Sequence, residues 1–203
     1  METLEGIAVL KVTSVAQWRE WLAAHGTALS VWLVIRRKHS GAPGVLVHEA
    51  MEQALCFGWI DSKALRRDAE STYLCFTPRK PKSTWSRVNR DRVARLTAAG
   101  LMTPAGQAMV DLARRTGTWD VLAEAQEGVV PADLERAFDS VAAAHFAAFP
   151  PSSRRLILEW IAKAKRPETR QRRITTTVEL ARENVRAAHP KAEPERPKAA
   201  FGA

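Results

Sequence analysis

A chain of 203 residues, 46% of them apolar, can build one compact domain or two small ones around a real core. No run reaches the ~18 apolar residues of a membrane helix, and METLEGIAVLKVTSV has neither a basic leader nor a small-residue cleavage site, so a cytoplasmic protein with no membrane span is expected. The formal charge of +9 is concentrated: residues 79–95 and 154–173 each net +6, leaving the rest of the chain 3 negative, a focusing that favours anionic partners or simply solvates helix faces.

Ser14 precedes Val15, Trp18, Trp21 and Leu22 at helical spacing and Gly26 stops the pattern, which predicts a capped helix over 14–25. Leu29 to Arg36, β-branched and aromatic with little alternation, predicts a strand covered on both faces. Arg36, Arg37, Lys38 and His39 then lead into the turn SGAPG. From Val47 the residues Ala50, Met51, Ala54 and Leu55 keep a 3.6-residue period that Gly58 ends. His48, Glu49, Glu52 and Gln53 fall on the outer face; Glu49 and Glu52 have the spacing of an acid/base pair, and a solvated face accounts for them without chemistry. Trp59 to Arg67 and Thr72 to Thr77 read as a β-hairpin turned by DAES. Cys56 and Cys75 form no CxxC and have no histidine cluster beside them, so they read as buried thiols, with no metal and no cofactor expected.

Pro78 and Pro81 hold the next stretch extended, and Ser83 offers a cap for a helix beginning at Trp85. On a wheel of about 100° per residue, Trp85, Val88, Leu96 and Ala99 form an inward stripe that includes Asn89 and Arg92, while Arg87 and Arg90 point away. A buried amide and guanidinium need hydrogen bonds or line a cavity. Trp59, Asp61, Trp85, Asn89 and Arg92 therefore outline a polar pocket, with a salt bridge from Arg92 to Asp61 as the purely structural alternative. After Gly100 a helix opens at TPAG, with Met109, Leu112 and Ala113 inward as far as Gly117. From Pro131 no strand signal remains. Residues 132–149 read as an alanine-rich helical segment anchored by Leu134, Phe138, Val141, Phe146 and Phe149. Ser152 caps a helix with Leu156, Ile157, Trp160 and Ile161 inward; Pro167 opens the last helix, burying Ile174, Val178, Ala181 and Val185 with Arg170 on the same side. The expected fold is α+β, a small helix-covered N-terminal β-sheet over 1–120 and an all-helical part over 121–188, followed by a disordered tail at 189–203.

Four segments in order, ALCFGWIDS at 54–62, FTPRKPKSTWSRVN at 76–89, GLMTPAGQ at 100–107 and AKRPETRQRRI at 164–174, resemble the YdeI/OmpD-associated family, described as bacteriocin-protection. The resemblance, running from Trp18 to about Arg186, implies a YdeI-like region followed by an OmpD-associated-type region and a link to stress tolerance. It marks Trp59, Asp61, Arg79, Trp85 and Asn89, together with Lys165, Arg166, Arg170 and Arg173, as motif positions, and it supplies no catalytic residue. The name implies an outer-membrane porin partner, which the lack of an export signal disfavours. A +9 chain repels cationic antibacterial peptides, so protection would be indirect.

Non-catalytic binding of an anionic small molecule in the pocket of Trp59, Asp61, Trp85, Asn89 and Arg92 is the preferred function, with Arg79, Arg166 and Arg170 supplying charge-assisted hydrogen bonds and Lys165 and Arg173 as further candidate ligand-binding residues. The alternative is nucleic acid lying along the two basic windows, although no zinc-finger or RNP pattern is present. No Walker loop, GxSxG, HExxH or Cys/His pair supports an enzyme; Asp61 is the one acid/base candidate.

Overall fold

The computed structural model describes residues 2–188, and the tail expected from His189 lies outside them. The chain divides into two units, Met1–Trp119 and Asp120–Ala203. The first begins with a hairpin that sequence reasoning does not anticipate, β1 (Thr3–Leu4) and β2 (Ile7–Leu10). Glu5 and Gly6 turn it, both at positive φ, the backbone that a two-residue primed turn requires. Helix α1 (Val15–Ala24) follows, its Ser14 cap accepting from the Gln17 N–H. It leads to β3 (Val31–Arg36), which lies parallel to β2. Leu29, expected in this strand, is 87% exposed and precedes it.

Helix α2 (Val47–Cys56) ends before Gly58 at φ +78°, and the hairpin of β4 (Trp59–Arg66) and β5 (Ser71–Pro78) places β5 between β3 and β4. The sheet order is β1-β2-β3-β5-β4. One face carries Val31, Leu33, Ile35, Leu74, Phe76 and Trp59 against α1 and α2. The junction is tied by the Trp18 indole, which donates to Ala50 O at 3.0 Å. The other face buries Val9, Trp32 and Cys75 beneath Leu65 and Tyr73. Lys63 of β4 reaches Glu5 in the β1–β2 turn at 2.5 Å, and Tyr73 donates to Glu2. Contact between the two margins shows a strongly coiled sheet, with Trp32 at the centre of its concave side.

Helices α3 (Arg87–Ala98) and α4 (Pro104–Arg115) pack on the end of α2 around Leu55, Cys56, Trp85, Val93, Leu96 and Val110. The crossing is close: a Cβ on Gly106 would stand 2.2 Å from Cys56 O. Thr103, the α4 cap, donates to that same oxygen through its N–H at 3.1 Å and its hydroxyl at 2.6 Å, satisfying a carbonyl in the last turn of α2.

The second unit is helical throughout its described elements: α5 (Ala123–Glu127), α6 (Ala132–Ala137), α7 (Ser140–Ala148), α8 (Pro151–Ala162) and α9 (Pro167–Arg182). Leu134, Phe146, Ile157, Leu158, Ile161 and Ile174 fill its core. The segment 132–149 is two helices, because Asp139 caps a new start by accepting from the Ala142 N–H and the chain turns extended at Phe138. That break rotates Val141 outward to 52% exposure. Helix α8 starts at Pro151, one residue before the expected cap Ser152, and Leu156 is 44% exposed while Leu158 takes the buried place. The chain is thus α+β, with a sheet in the N-terminal unit and helices after it. Among the described residues no helix is long and apolar enough to cross a membrane.

Candidate functional site

Arg79 is the most unusual charge in the molecule. It follows β5 directly, its N–H bonded to Gly58 O, and it is 4% exposed. Its guanidinium lies over the Trp85 ring at 3.7 Å, and Trp85 in turn packs on Trp119. Nη1 donates to Thr84 O at 3.1 Å, whereas Nε and Nη2 have no hydrogen-bond partner. Burial lowers its pKa to about 10, and the negative charge of Asp61 opposes the fall. The structure therefore brings Asp61, Arg79 and Trp85 together, with the buried Trp59 at the start of β4.

Asn89 and Arg92 answer each other: Arg92 Nη1 donates to Asn89 Oδ1 at 3.0 Å. The bridge from Arg92 to Asp61, the structural alternative to a pocket, gives way to this pair. The inward stripe differs as well, because the helix is capped at Ser86, whose hydroxyl accepts from the Asn89 N–H, and Trp85 is buried ahead of the helix. Val93 and Leu96 form the buried line; Val88 is 57% exposed and Ala99 is exposed.

In the second unit, Arg170 grips Asp133 through Nε at 2.6 Å and Nη2 at 2.9 Å, tying α9 to α6. Those bonds hold the Asp133 carboxyl below the usual carboxylate range. Arg173 donates to Trp160 O and stacks on the Trp160 ring, tying α9 to α8, and burial lowers its pKa. Lys165 and Arg166 are exposed at the turn before α9. Two of the four C-terminal candidates thus have their guanidinium groups engaged inside their own unit.

A groove that sequence reasoning misses lies in the first unit, on the helix-bearing face of the sheet beside the first turn of α2. It encloses about 580 Å³, within the roughly 300–1,000 Å³ of small-molecule sites. Ile35, Thr72, Leu74 and Ala64, from β3, β5 and β4, line its floor, and Leu46 and Val47 its wall. Arg37, Lys38, His39 and His48 form a rim. Among the described residues no carboxylate lines it. Glu49, in the first turn of α2, is turned back to accept from the Leu46 N–H at 2.7 Å. Arg36 fastens the loop that carries the rim, donating to Gly44 O and Ser40 O.

A bulge makes the floor. Asp61 faces Phe76 and Lys63 faces Cys75, so Ser62 is an extra residue in β4. After it, Ala64 pairs with Leu74 on the groove face, while Lys63 and Leu65 go to the concave face. The small Ala64 leaves space where Lys63 would otherwise stand. The RRKH run at 36–39 was the available sequence signal, yet next to a strand end it reads as an ordinary solvated turn.

Residues 127–184 match the family described as Bacteriocin-protection, YdeI or OmpD-Associated. Residues 10–109 match a domain of unknown function (DUF8412). No curated protein and no solved structure gives a significant match. The likeness to the bacteriocin-protection family, expected from Trp18 onward, is thereby shown over residues 127–184, the segment that holds Lys165, Arg166, Arg170 and Arg173. The Arg79 cluster and the groove both belong to the segment matched by the other domain.

Among the described residues no group of three or more His, Cys, Asp or Glu side chains is placed to hold a metal ion. Burial raises the Cys56 pKa, which keeps this thiol protonated and unreactive.

Proposed function

We propose that the chain is a non-catalytic binding protein for a small anionic ligand, which it holds in the groove between β3, β5, β4 and α2. The observation that carries this reading is the lining: an apolar floor of small-molecule size under a rim of Arg37, Lys38, His39 and His48, with no carboxylate among the described lining residues. Such a rim attracts anions and the floor selects among them. A role in bacteriocin protection, taken from the family matched by residues 127–184, would then pass through the ligand rather than through contact with a cationic peptide.

Thermal shift of the full chain against a panel of anionic metabolites tests the reading. Stabilisation by some members, lost in Arg37→Glu/Lys38→Glu, is the expected result; a panel without effect on either protein overturns it.

The exposed Lys80 and Lys82 in the first unit and Arg155, Lys165, Arg166 and Arg172 in the second favour a second reading, binding to nucleic-acid phosphates. It is the weaker one, because Arg79, Arg170 and Arg173 of the same basic windows are engaged internally.

A further inference from the structure

We infer that the ligand of the groove is a single-chain amphiphile with one anionic head, of which a medium-chain fatty carboxylate is the simplest member. This rests on the reading of the groove as an anion site and specifies the rest of the ligand.

Leu74 and Ala64 stand opposite each other on β5 and β4, and Ile35 of β3 lies diagonally across from Leu74, opposite Thr72; with neighbouring strands about 4.8 Å apart the floor is a largely apolar track roughly 10 Å long that also includes Thr72. Val47 adds a wall that is 48% exposed, a large apolar side chain left uncovered beside the track. The basic side chains sit to one side of this track. Arg37, Lys38 and His39 leave the end of β3, and His48 lies on the first turn of α2. Among the described residues these four exposed side chains make no hydrogen bond or ion pair, so their donors face solvent.

An inorganic anion would use the rim and leave the floor wet. A nucleotide or sugar phosphate would lay hydroxyls and ring nitrogens over methyl groups, stripping them of water without return. A chain with a charged head uses both parts: the head takes charge-assisted hydrogen bonds and the chain covers the floor and Val47.

The test is calorimetric titration of the full chain with butanoate, hexanoate, octanoate and decanoate, with inorganic phosphate and the neutral decyl maltoside as comparisons. Affinity should rise by up to about fourfold per added methylene. Decyl maltoside should bind at least about tenfold more weakly than decanoate. Ala64→Leu, a change at an exposed position that fills the floor, should flatten the chain-length series while phosphate binding persists. Arg37→Glu/Lys38→Glu should remove binding of every anion. Equal affinity for phosphate, butanoate and decanoate would overturn the amphiphile and leave the anion site standing. Decyl maltoside binding as tightly as decanoate would also overturn it, as would saturable binding to anionic phospholipid vesicles with none to dissolved decanoate. No anion binding at all would overturn the anion-site reading itself.

Discussion

Arg79 shows how a single side chain is held against its own chemistry. Taking a guanidinium out of water is costly, and the Trp85 ring, the Thr84 carbonyl and the field of Asp61 offset that cost only in part. Its pKa, lowered to about 10, means that the folded chain binds the proton less tightly than the unfolded chain. The charge therefore costs stability at neutral pH, by up to about 3 kcal/mol. That cost is relieved as pH rises from about 10 toward the ordinary arginine range. Arg79→Met should then lie within about 1 kcal/mol of wild type at pH 7, whereas Arg79→Ala should lose roughly 2–4 kcal/mol by leaving a cavity. Urea unfolding at pH 7 and pH 11 provides the check: wild type should gain on Arg79→Met at the higher pH, and an unchanged gap would mean that the guanidinium bears no burial penalty. The motif reading singled out Arg79 and Trp85, and they do meet. What their positions in the sequence could not convey is that two of the guanidinium nitrogens find no partner.

At the scale of elements, what could be read followed from chemistry local to each one. The caps Ser14 and Thr103, the break at Gly58 and the proline opening α9 all act within a few residues. Helix α3 starts later than its sequence suggests, because Ser83 and Ser86 are both competent caps and the buried Trp85 between them resembles a helical anchor. Strands β1 and β2 were missed because two and four residues are too short for a period to appear. The α2–α4 contact depends on Gly106, so Gly106→Ala should cost about 2–3 kcal/mol by pushing the helices apart, read as a lowered urea midpoint with an unchanged slope. In the second unit the Asp133–Arg170 pair makes a separate prediction. Because the Asp133 pKa is depressed in the folded state, its contribution is present above the unfolded carboxylate value of about 3.9 and is lost as pH falls through the lowered folded value. Acid unfolding of Asp133→Asn should show a shallower loss of stability between pH 5 and 2, at roughly 1 kcal/mol cost near neutrality. An acid profile parallel to that of wild type would mean that the pair is not the source.

Taken whole, the molecule carries +9, but much of that charge is engaged in short internal contacts. Arg79 and Arg95 in one basic window, and Lys163, Arg170 and Arg173 in the other, have partners within their own units. Fewer phosphates can be neutralised than the net +6 of each window suggests. Binding of a short labelled duplex should accordingly be weak, with a log–log salt slope shallower than about −4, and vanish near physiological salt. A steeper slope with micromolar affinity would move the nucleic-acid reading ahead.

The bulge at Ser62 has one more consequence. The groove depends on the pairing register of β4 at least as much as on which residues it carries. Deleting Ser62 would restore an unbroken ladder and still leave Lys63 opposite Cys75 and Ala64 opposite Leu74, whereas the present sequence run without a bulge would set Ser62 opposite Cys75 and Lys63 opposite Leu74 and exchange the two faces of everything after it. In that slipped register Lys63 would stand over the track now opened by Ala64 and lose its line to Glu5, so by absorbing one residue the bulge opens the groove and ties the margins of the sheet together.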